Sequence, residues 1–262
     1  MGLLNSILTW VMKKRIHQIE LFMKYPHEVQ DELFRKLIQT AKGTTFGKQY
    51  DFGSIGTYGM FRERVPIHSY ENLFPYIERQ MRGEQNVLWP SEIKWFSKSS
   101  GTTNARSKFI PVSQEALEDC HFKGGKDLIS IFVNNYPNTK IFDGKGLAVG
   151  GSHQVNEHDP SASSYYGDVS AVIMQNLPVW AEFIRTPRLE TALMSNWEEK
   201  IEKLARETAQ QNVTNIAGVP TWTILLIQRV VELTAKANIK EVWPNLEVFF
   251  HGAVSFKPYR AL

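Results

Sequence analysis

The fold is decided by residues 213–254, which read VTNIAGVPTWTILLIQRVVELTAKANIKEVWPNLEVFFHGAV. Val213–Ala217 is a short apolar run with β-branched residues, and it predicts a strand. An apolar helical pattern follows over Trp222–Ala237, and Leu246–Phe250 predicts a second strand. Because two strands joined through a helix lie parallel in one sheet, this stretch predicts an α/β fold.

Each of these two strands ends in a loop of small residues. Gly218–Thr221 follows the first strand, and His251–Val254 follows the second. The carboxyl ends of parallel strands meet at one edge of a sheet, where open α/β sheets bind ligands, so both loops are expected at a common site. His251 is therefore a candidate pocket residue, although a histidine at a sheet edge can equally be structural.

The sequence before this unit predicts a further strand and a helix. Leu147-Ala-Val-Gly-Gly reads as a buried strand that enters a glycine turn. Ser195 and Glu198 have the spacing of a capping box, which predicts that a helix begins after this serine. The residues at helical spacing on one face of that helix are Trp197, Ile201, Leu204, Ala205 and Thr208.

The middle of the chain holds a loop rich in hydroxyl groups, within residues 97–113, which read SKSSGTTNARSKFIPVS. It lies between two predicted strands, Glu92–Phe96 and Lys108–Val112. Hydroxyl donors, full positive charges and a glycine that lets backbone N–H groups approach a ligand together suit a polyphosphate. The residues concerned are Ser99, Ser100, Gly101, Thr102, Thr103, Arg106 and Lys108. The same composition is typical of a plain hairpin loop, and the Walker A spacing is absent.

Helices dominate the first half of the chain. An amphipathic helix is expected at the N-terminus, where the apolar run is too short to span a bilayer and lacks the order of a secretory signal. Residues that typically begin or end helices predict three more of them. The first covers Pro26–Lys42 and begins with a proline. The second runs from Ser69 to Arg82, before Gly83, and the third covers Gln114–Asn134, after Ser113. Gly124 and Gly125 weaken the last of these.

Composition excludes several classes of protein. The chain has 262 residues, of which 42% are apolar and 22% charged, and its net charge is only +3 with mixed signs, so nucleic acid is not an expected partner. A single cysteine, Cys120, allows no internal disulfide and fits a reducing compartment, which predicts a cytoplasmic protein. No set of histidines has the spacing of a metal site.

The segment Gly146–Ile184 contains no lysine or arginine and is rich in apolar and aromatic residues. Such a stretch could line a pocket for an apolar or aromatic acid. It could also be core with its covering loops, and the sequence leaves both interpretations open.

Three motifs occur in order: Ser99–Lys108, then Gly218-Val-Pro-Thr, then Phe250-His-Gly-Ala-Val. Together they resemble the adenylate-forming superfamily of acyl-CoA synthetases, luciferases and peptide-synthetase adenylation domains. The chain resembles most the auxin-responsive acyl acid–amido synthetase family, in a bacterial-type version. Thr44-Thr-Phe-Gly-Lys and Val65-Pro-Ile also resemble that family.

The resemblance implies an ATP-dependent ligase. Such an enzyme activates a carboxylic acid as an acyl-adenylate and passes the acyl group to an amine, usually that of an amino acid. By the resemblance, the phosphates of ATP are held by Ser99, Ser100, Gly101, Thr102, Thr103, Asn104 and Lys108, with Thr102 and Lys108 in catalytic roles. The adenine lies against Gly252, Ala253 and Val254, and the acyl group lies beside Val219, Pro220, Thr221, Trp222 and His251.

The chain also departs from the family pattern. Ala105 stands where the family loop usually has glycine, and the motifs for Mg²⁺, for the ribose and for the C-terminal lid domain are absent. The resemblance therefore implies that residues 1–262 are the N-terminal portion of the large adenylate-forming domain, that the Mg²⁺ ligand lies beyond Leu262, and that this chain alone is inactive. The alternatives are a carboxylate–CoA ligase, which shares the first half-reaction, and a non-catalytic module that binds a nucleotide or an acyl ligand.

Overall fold

The computed structural model describes residues 2–99, 107–155 and 164–260, and the chain forms two compact units. The parallel-sheet unit comprises Met1–Lys13, Ile129–His153 and Asp168–Leu262. The mixed-sheet unit comprises Lys14–Leu128 and Gln154–Gly167. Each unit has its own sheet, and among the described residues the parallel-sheet unit has one buried apolar cluster and the mixed-sheet unit has two.

The helices and strands are numbered in chain order. The helices are α1 Leu3–Lys24, α2 Pro26–Ala41, α3 Thr45–Gln49, α4 Tyr58–Arg64, α5 Tyr70–Met81, α6 Gln114–Ala116, α7 Lys123–Asn135, α8 Val169–Gln175, α9 Ala181–Ile184, α10 Leu189–Ala192, α11 Trp197–Thr208, α12 Pro220–Thr234 and α13 Ile239–Val242. The strands are β1 Trp95–Lys98, β2 Phe109–Val112, β3 Lys145–Val149, β4 His153–Val155, β5 Tyr165–Gly167, β6 Arg185–Thr186, β7 Val213–Gly218 and β8 Val248–His251. Leu117–Phe122 is a π-helical turn, and Phe52–Ser54 and Lys257–Tyr259 are 3₁₀ turns.

The parallel-sheet unit confirms the predicted strand–helix–strand arrangement. Its sheet has the order β6-β3-β7-β8, and each neighbouring pair is parallel. The helix α12 connects β7 to β8, which pair from Asn215 opposite Val248 to Gly218 opposite His251. The α/β class and the parallel sheet flanked by helices are therefore as expected from the sequence.

The core of this unit forms where α11 and α12 pack on the sheet. Its buried members are Leu147, Val149, Leu204, Ala205, Val213, Ile216, Leu226, Val230 and Trp243. The indole N–H of Trp243 donates to the backbone oxygen of Thr208 at 3.0 Å, so its one polar group is satisfied inside the core. The predicted apolar face of α11 is confirmed.

The predicted capping box at Ser195 is wrong by one residue. The N-cap of α11 is Asn196, whose Oδ1 accepts from the N–H of Glu199 at 3.2 Å. Serine and asparagine are both good caps, and either has a glutamate three residues later here, so the sequence pattern fits both registers.

Several boundaries in this unit also differ from the prediction. Helix α12 ends at Thr234, three residues before the predicted Ala237, because Ala235 takes a left-handed conformation with φ 50°. Helix α12 begins at Pro220, two residues before the predicted Trp222, because proline suits the first helical position. Strand β8 begins at Val248 because Leu246 is in a turn, where its N–H donates to Trp243 and its carbonyl accepts from Lys240.

The mixed-sheet unit has a second sheet of order β2-β1-β5-β4. Strand β1 is antiparallel to β2 and parallel to β5. Phe96 on β1 is fully buried between Ile77, Met81, Ile93 and Tyr166. The expected strand at Glu92 begins three residues later, because the N–H of Ile93 donates to the side chain of Gln85.

The helices of the mixed-sheet unit begin largely where the sequence predicts. Ser69 caps α5 by accepting from Asn72, and Ser113 caps α6 by accepting from Ala116. The expected helix from Gln114 is interrupted by the π-helical turn before it continues as α7. Among the helices that the structure describes, none combines the length and the apolar character that a membrane crossing requires.

Candidate functional site

The carboxyl ends of three parallel strands meet at one edge of the parallel sheet. Gly218 of β7 lies between Val149 of β3 and His251 of β8 in the strand register. The loops that follow these strands therefore begin side by side. The expectation that Gly218–Thr221 and His251–Val254 share an edge is confirmed, and we call this place the carboxyl edge.

At the centre of the carboxyl edge, Gly218 is where the strand comes close to the next helix. A Cβ at this position would lie 2.9 Å from Oγ1 of Thr223 and 3.2 Å from Cβ of Val149, so a larger residue needs its neighbours to move. Thr223 is fully buried, and its hydroxyl has no hydrogen-bond partner among the described residues. Because Gly218 packs closely against Thr223, the first turn of α12 lies at the carboxyl edge.

The N-terminus of α12 follows the end of β7 without a side-chain cap. Its N-cap is Val219, which has no side-chain acceptor, and Pro220 has no N–H of its own. The free N–H groups and the positive end of the helix dipole attract negative charge. A carboxylate is the kind of group that such a helix end can bind.

Thr221 and Trp222, which the resemblance places beside the acyl group, lie in the first turn of this helix. The hydroxyls of Thr221 and Tyr259 lie 3.0 Å apart. Trp222 is 43% exposed, and its ring centroid lies 4.2 Å from that of Trp197. The tryptophan therefore presents an aromatic surface to solvent beside the N-terminus of α12.

The candidate adenine loop has a strained turn. Ala253 has φ 67°, a left-handed conformation that non-glycine residues rarely adopt, and the N–H of Val254 donates to the oxygen of Gly252 at 2.8 Å. Beside it, the rings of His251 and Phe256 stack with centroids 4.5 Å apart. Strained backbone of this kind persists where surrounding structure fixes it, which is common at ligand sites.

The base of the hydroxyl loop is closed by reciprocal hydrogen bonds in the mixed-sheet unit. The N–H of Ser99 donates to the oxygen of Lys108 at 2.8 Å, and the N–H of Lys108 donates to Oγ of Ser99 at 3.1 Å. The two ends of the loop are thus held together as an extension of the β1–β2 hairpin. The predicted residues Ser100, Gly101, Thr102, Thr103 and Asn104 lie outside the described residues.

The Lys108 side chain leans on the ring of Tyr70. Its ammonium lies 5.2 Å from the ring centroid, within the range of a cation–π contact. The hydroxyl of Tyr70 in turn accepts from the N–H of Phe109 at 2.8 Å. Helix α5 therefore fixes the start of β2, and with it the lysine at the end of the loop.

A buried lysine at the carboxyl edge was not predicted from the sequence. Lys200 on α11 is only 1% exposed, and its ammonium donates to the backbone oxygens of Gly150 at 2.6 Å and Gly151 at 3.1 Å. Burial lowers the pKa of Lys200 to about 8, while the nearby Asp168 acts in the opposite direction. The helical spacing of the sequence already places this lysine on the buried face, because Lys200 lies three residues after Trp197 in the apolar stripe of the helix.

A polar cavity of about 620 Å³ lies near the other end of the same strands. It is lined by Lys145, Glu182, Arg185, Thr186, Arg188, Glu190, Thr191, Lys203, Arg206, Glu207 and Gln211. Lys145 begins β3 and Gln211 precedes β7, so the cavity is at the amino edge of the sheet.

The segment Gly146–Ile184, which contains no lysine or arginine, is partly core and partly surface. Its residues Val172 and Met174 are buried, whereas Trp180 and Phe183 are exposed.

The comparisons with known proteins agree with this fold. The model of the GH3 family N-terminal domain matches residues 15–262. Among solved structures, a GH3.15 acyl acid amido synthetase matches with a TM-score of 0.70 at 13% identity, over 94% of this chain and 53% of that one. The same enzyme in complex with 2,4-DB matches with a TM-score of 0.62 at 15% identity, over 78% of this chain and 36% of that one.

Curated relatives match over shorter stretches. A jasmonoyl–L-amino acid synthetase, JAR4 of Nicotiana attenuata, is 30% identical over 104 residues, which are 39% of this chain and 18% of that protein. An indole-3-acetic acid-amido synthetase, GH3.2 of Arabidopsis thaliana, is 28% identical over 106 residues, 40% of this chain and 19% of that protein. These matches span about a fifth of the relatives. Since the family model covers nearly all of the sequence, the chain belongs to the GH3 family.

Proposed function

We propose that the protein takes part in ATP-dependent conjugation of a carboxylic acid to an amine, most simply that of an amino acid. An oxygen of the acid attacks the α-phosphorus of ATP, and the bond to pyrophosphate breaks. The amine nitrogen then attacks the acyl carbon, forms the amide and loses a proton, while the bond to AMP breaks. The relatives named above, a jasmonoyl–L-amino acid synthetase and an indole-3-acetic acid-amido synthetase, support this reaction class.

The observation that carries the proposal is the carboxyl edge. An uncapped helix N-terminus, an exposed aromatic ring and a strained loop begin there on neighbouring strands. A carboxylate at the N-terminus of α12 would leave an apolar acyl group beside Val219, Pro220 and Trp222. The acid would thus be held by its charge at one end and by aromatic contact at the other.

The nucleotide is assigned to two loops by the resemblance. The γ-turn of Gly252, Ala253 and Val254 would lie against the adenine. Ser99, Lys108 and the hydroxyl residues between them would hold the β- and γ-phosphates. The closed base of this loop supports the assignment, because it keeps Lys108 and Ser99 adjacent.

Catalysis would rest on charge stabilisation and positioning. Negative charge builds on pyrophosphate as it leaves, and an ammonium with hydroxyl and backbone donors offsets that charge. Lys108 and Thr102 are the proposed catalytic residues for this role. Their effect would be on the first half-reaction, because pyrophosphate leaves in that step.

The described residues do not account for every group that the resemblance implies. No group of three or more His, Cys, Asp or Glu side chains within 2–99, 107–155 and 164–260 could hold a metal ion. A Mg²⁺ bound with ATP needs only one or two carboxylates beside the phosphate oxygens, and the resemblance implies that its protein ligand lies beyond Leu262. We propose that residues 1–262 form the N-terminal portion of the large adenylate-forming domain.

The experiment is carboxylate-dependent ATP–pyrophosphate exchange, measured on the protein that the complete gene encodes. A panel of aromatic, aliphatic and sugar acids is supplied with labelled pyrophosphate and Mg²⁺. Exchange that depends on an apolar acid is the expected result. Nucleotide binding without exchange for any acid would instead favour the non-catalytic binding module.

A second measurement separates the amide ligase from the carboxylate–CoA ligase. The activated acid is offered an amino-acid mixture or CoA, and the products are identified by mass. We expect an amide that forms with an amino acid. A thioester without an amide would contradict conjugation but leave adenylation intact.

A further inference from the structure

The end of strand β3 is held by a side chain from a neighbouring helix. After Val149 the chain turns through Gly150 and Gly151, and the ammonium of Lys200 donates to the backbone oxygens of both glycines. With 1% of its surface exposed, Lys200 replaces the water that would otherwise bond these oxygens. One buried cation therefore satisfies two consecutive carbonyls at the carboxyl edge.

The opposite side of the same turn is also enclosed. The N–H of Gly151 donates to Oγ of Ser170 at 3.0 Å. A Cβ on Gly151 would overlap the carboxylate of Asp168, and a Cβ on Gly150 would lie 2.5 Å from Cε of Met174. The turn is thus fixed from one side by Lys200 and from the other by the start of α8, and a side chain on either glycine would have to displace Asp168 or Met174.

Burying an ammonium at this position is unfavourable for the free energy of folding. Desolvation disfavours the charged form, and an apolar residue would pack on Leu204 and its neighbours without that cost. Asp168 acts against the desolvation, and the ammonium also lies 5.8 Å from the ring centroid of Trp197, yet the pKa of Lys200 stays lowered. The presence of a lysine here is therefore best explained by its two hydrogen bonds, which hold the Gly150–Gly151 turn in place.

The turn lies next to the residues proposed to bind the acid. Val149 pairs with Gly218 in the sheet, and Gly218 leads directly into Val219 and the first turn of α12. The position of Gly150 and Gly151 therefore limits the space beside that helix end. All of these residues belong to the parallel-sheet unit.

We propose that Lys200 is a positioning residue: by holding the Gly150–Gly151 turn, it shapes the wall of the acid site at the N-terminus of α12. It acts through the turn and does not touch the substrate. This inference rests on the proposed function, because it assigns the acid to the carboxyl edge.

The test compares Lys200→Met with Lys203→Met in the protein encoded by the complete gene. Lys203 is an exposed lysine on the same helix and controls for loss of a positive charge. We expect Lys200→Met to raise KM for the acid by about tenfold and to leave KM for ATP within about twofold. Lys200→Gln, which keeps a hydrogen-bond donor, should recover part of that loss. Equal kinetics for Lys200→Met and wild type would overturn the proposal.

A pH profile separates positioning from packing. Near pH 8 the ammonium becomes an amine, which still has two N–H groups but donates weaker hydrogen bonds, so KM for the acid in the wild type should rise above that pH. Lys200→Met should lack this inflection, while Lys203→Met should retain it. An inflection that persists unchanged in Lys200→Met would assign it to another group and count against the proposal.

Amide hydrogen exchange provides a readout without substrates. Lys200→Met should speed exchange of the Gly151 amide by at least about tenfold, with little change at Ile216 in the sheet core. If the wild type shows no pyrophosphate exchange, the proposed function fails, and this measurement still decides whether Lys200 holds the turn. Unchanged protection of Gly151 would show that it does not.

Discussion

At the scale of single residues, Ala253 is a non-glycine residue in a left-handed conformation within a candidate ligand loop. Its φ of 67° places Cβ too close to the following carbonyl, which costs about 1–2 kcal/mol. The hydrogen bond from Val254 to Gly252 fixes this turn despite the strain. The loop shape is therefore maintained at the expense of stability, as expected where a backbone has to meet a ligand.

Ala253→Gly should stabilise the protein by about 0.5–1 kcal/mol, because relief of the left-handed strain exceeds the added flexibility of glycine in the unfolded chain. Urea unfolding measures the change. Ala217→Gly is the matched control, since Ala217 lies in β7 and should lose about 0.5–1 kcal/mol. A loss of the same size in both variants would mean that Ala253 is unstrained.

Lys200 also makes stability depend on pH. Its pKa is about 8 in the folded protein, lowered from the 10.5 of a lysine side chain in water. Between these two pH values the unfolded state binds more protons, so stability rises with pH, and it falls again as pH drops towards 8. The full effect is on the order of 3 kcal/mol.

We therefore expect the unfolding free energy of the wild type to rise between pH 7 and pH 10 relative to that of Lys200→Met. Urea denaturation at several pH values in that range gives the difference for each variant. Because other lysines and tyrosines titrate in both proteins, only the difference reports on Lys200. Parallel curves would show that the buried ammonium is not destabilised.

Residue roles were only partly predictable from the sequence. Ser69 and Ser113 follow from cap chemistry that is local, and the structure confirms both. Lys200 was missed because the side chain of a lysine within an apolar helix face usually extends to solvent. Its partners are two carbonyls about 50 residues away, which no local pattern reveals.

At the scale of elements, the corner between α2 and α3 depends on one glycine. Thr44 is fully buried, donates to the oxygen of Ala41 at 2.7 Å and accepts from the N–H of Gly47 at 2.9 Å. A Cβ on Gly47 would overlap the carbonyl of Ala41. The Thr-Thr-Phe-Gly-Lys motif is therefore explained by a helix junction that only glycine permits.

Gly47→Ala should destabilise the mixed-sheet unit by about 2–3 kcal/mol, because two backbone segments have to separate. Gly43→Ala, in the same corner, meets nothing within 4 Å and should change stability by less than about 1 kcal/mol. Thermal and urea unfolding distinguish the two. Similar stability for both variants would mean that the corner adjusts without strain.

The hairpin of β1 and β2 should matter for reaction more than for folding. Lys108→Ala should lower pyrophosphate exchange by about 100-fold, because it removes the positive charge that we propose to stabilise the leaving pyrophosphate. Its cost in stability should stay below about 1 kcal/mol, the value of an exposed cation–π contact. Thr102→Ala should behave in the same way.

The control for the hairpin is Lys94→Ala. Lys94 is an exposed lysine before β1 and pairs with Glu92, so its loss removes equal charge outside the loop. We expect exchange within about twofold of the wild type. If Lys108→Ala and Thr102→Ala lose stability in step with activity, the loop is a structural turn.

Element types were predicted better than element boundaries. The parallel pairing of β7 and β8 follows from chain connectivity, which a sequence pattern shows directly. The starts of β1 and β8 depend on side-chain bonds from Gln85 and Lys240, which compete with the strand ladder. Because these bonds join residues that no periodicity links, the boundaries could not be predicted.

At the scale of the whole molecule, the chain has separate apolar cores. The parallel-sheet core contains Leu204 at 0% exposure, and the mixed-sheet core contains Ile77 at 4%. Neither core cluster shares a buried residue with the other. Separate cores allow each unit to open on its own, as cooperative subunits of a structure often do.

Leu204→Ala and Ile77→Ala test whether the units are energetically distinct. Each removes buried methyl groups and should cost about 2–5 kcal/mol. Amide exchange should then accelerate at Ile216 and its β7 neighbours in Leu204→Ala, and at Phe96 on β1 in Ile77→Ala. Each variant serves as the control for the other, since both create a cavity of similar chemistry. Faster exchange at both reporters in either variant would show that the chain unfolds as a single cooperative unit, because the loss of one core would then expose the other.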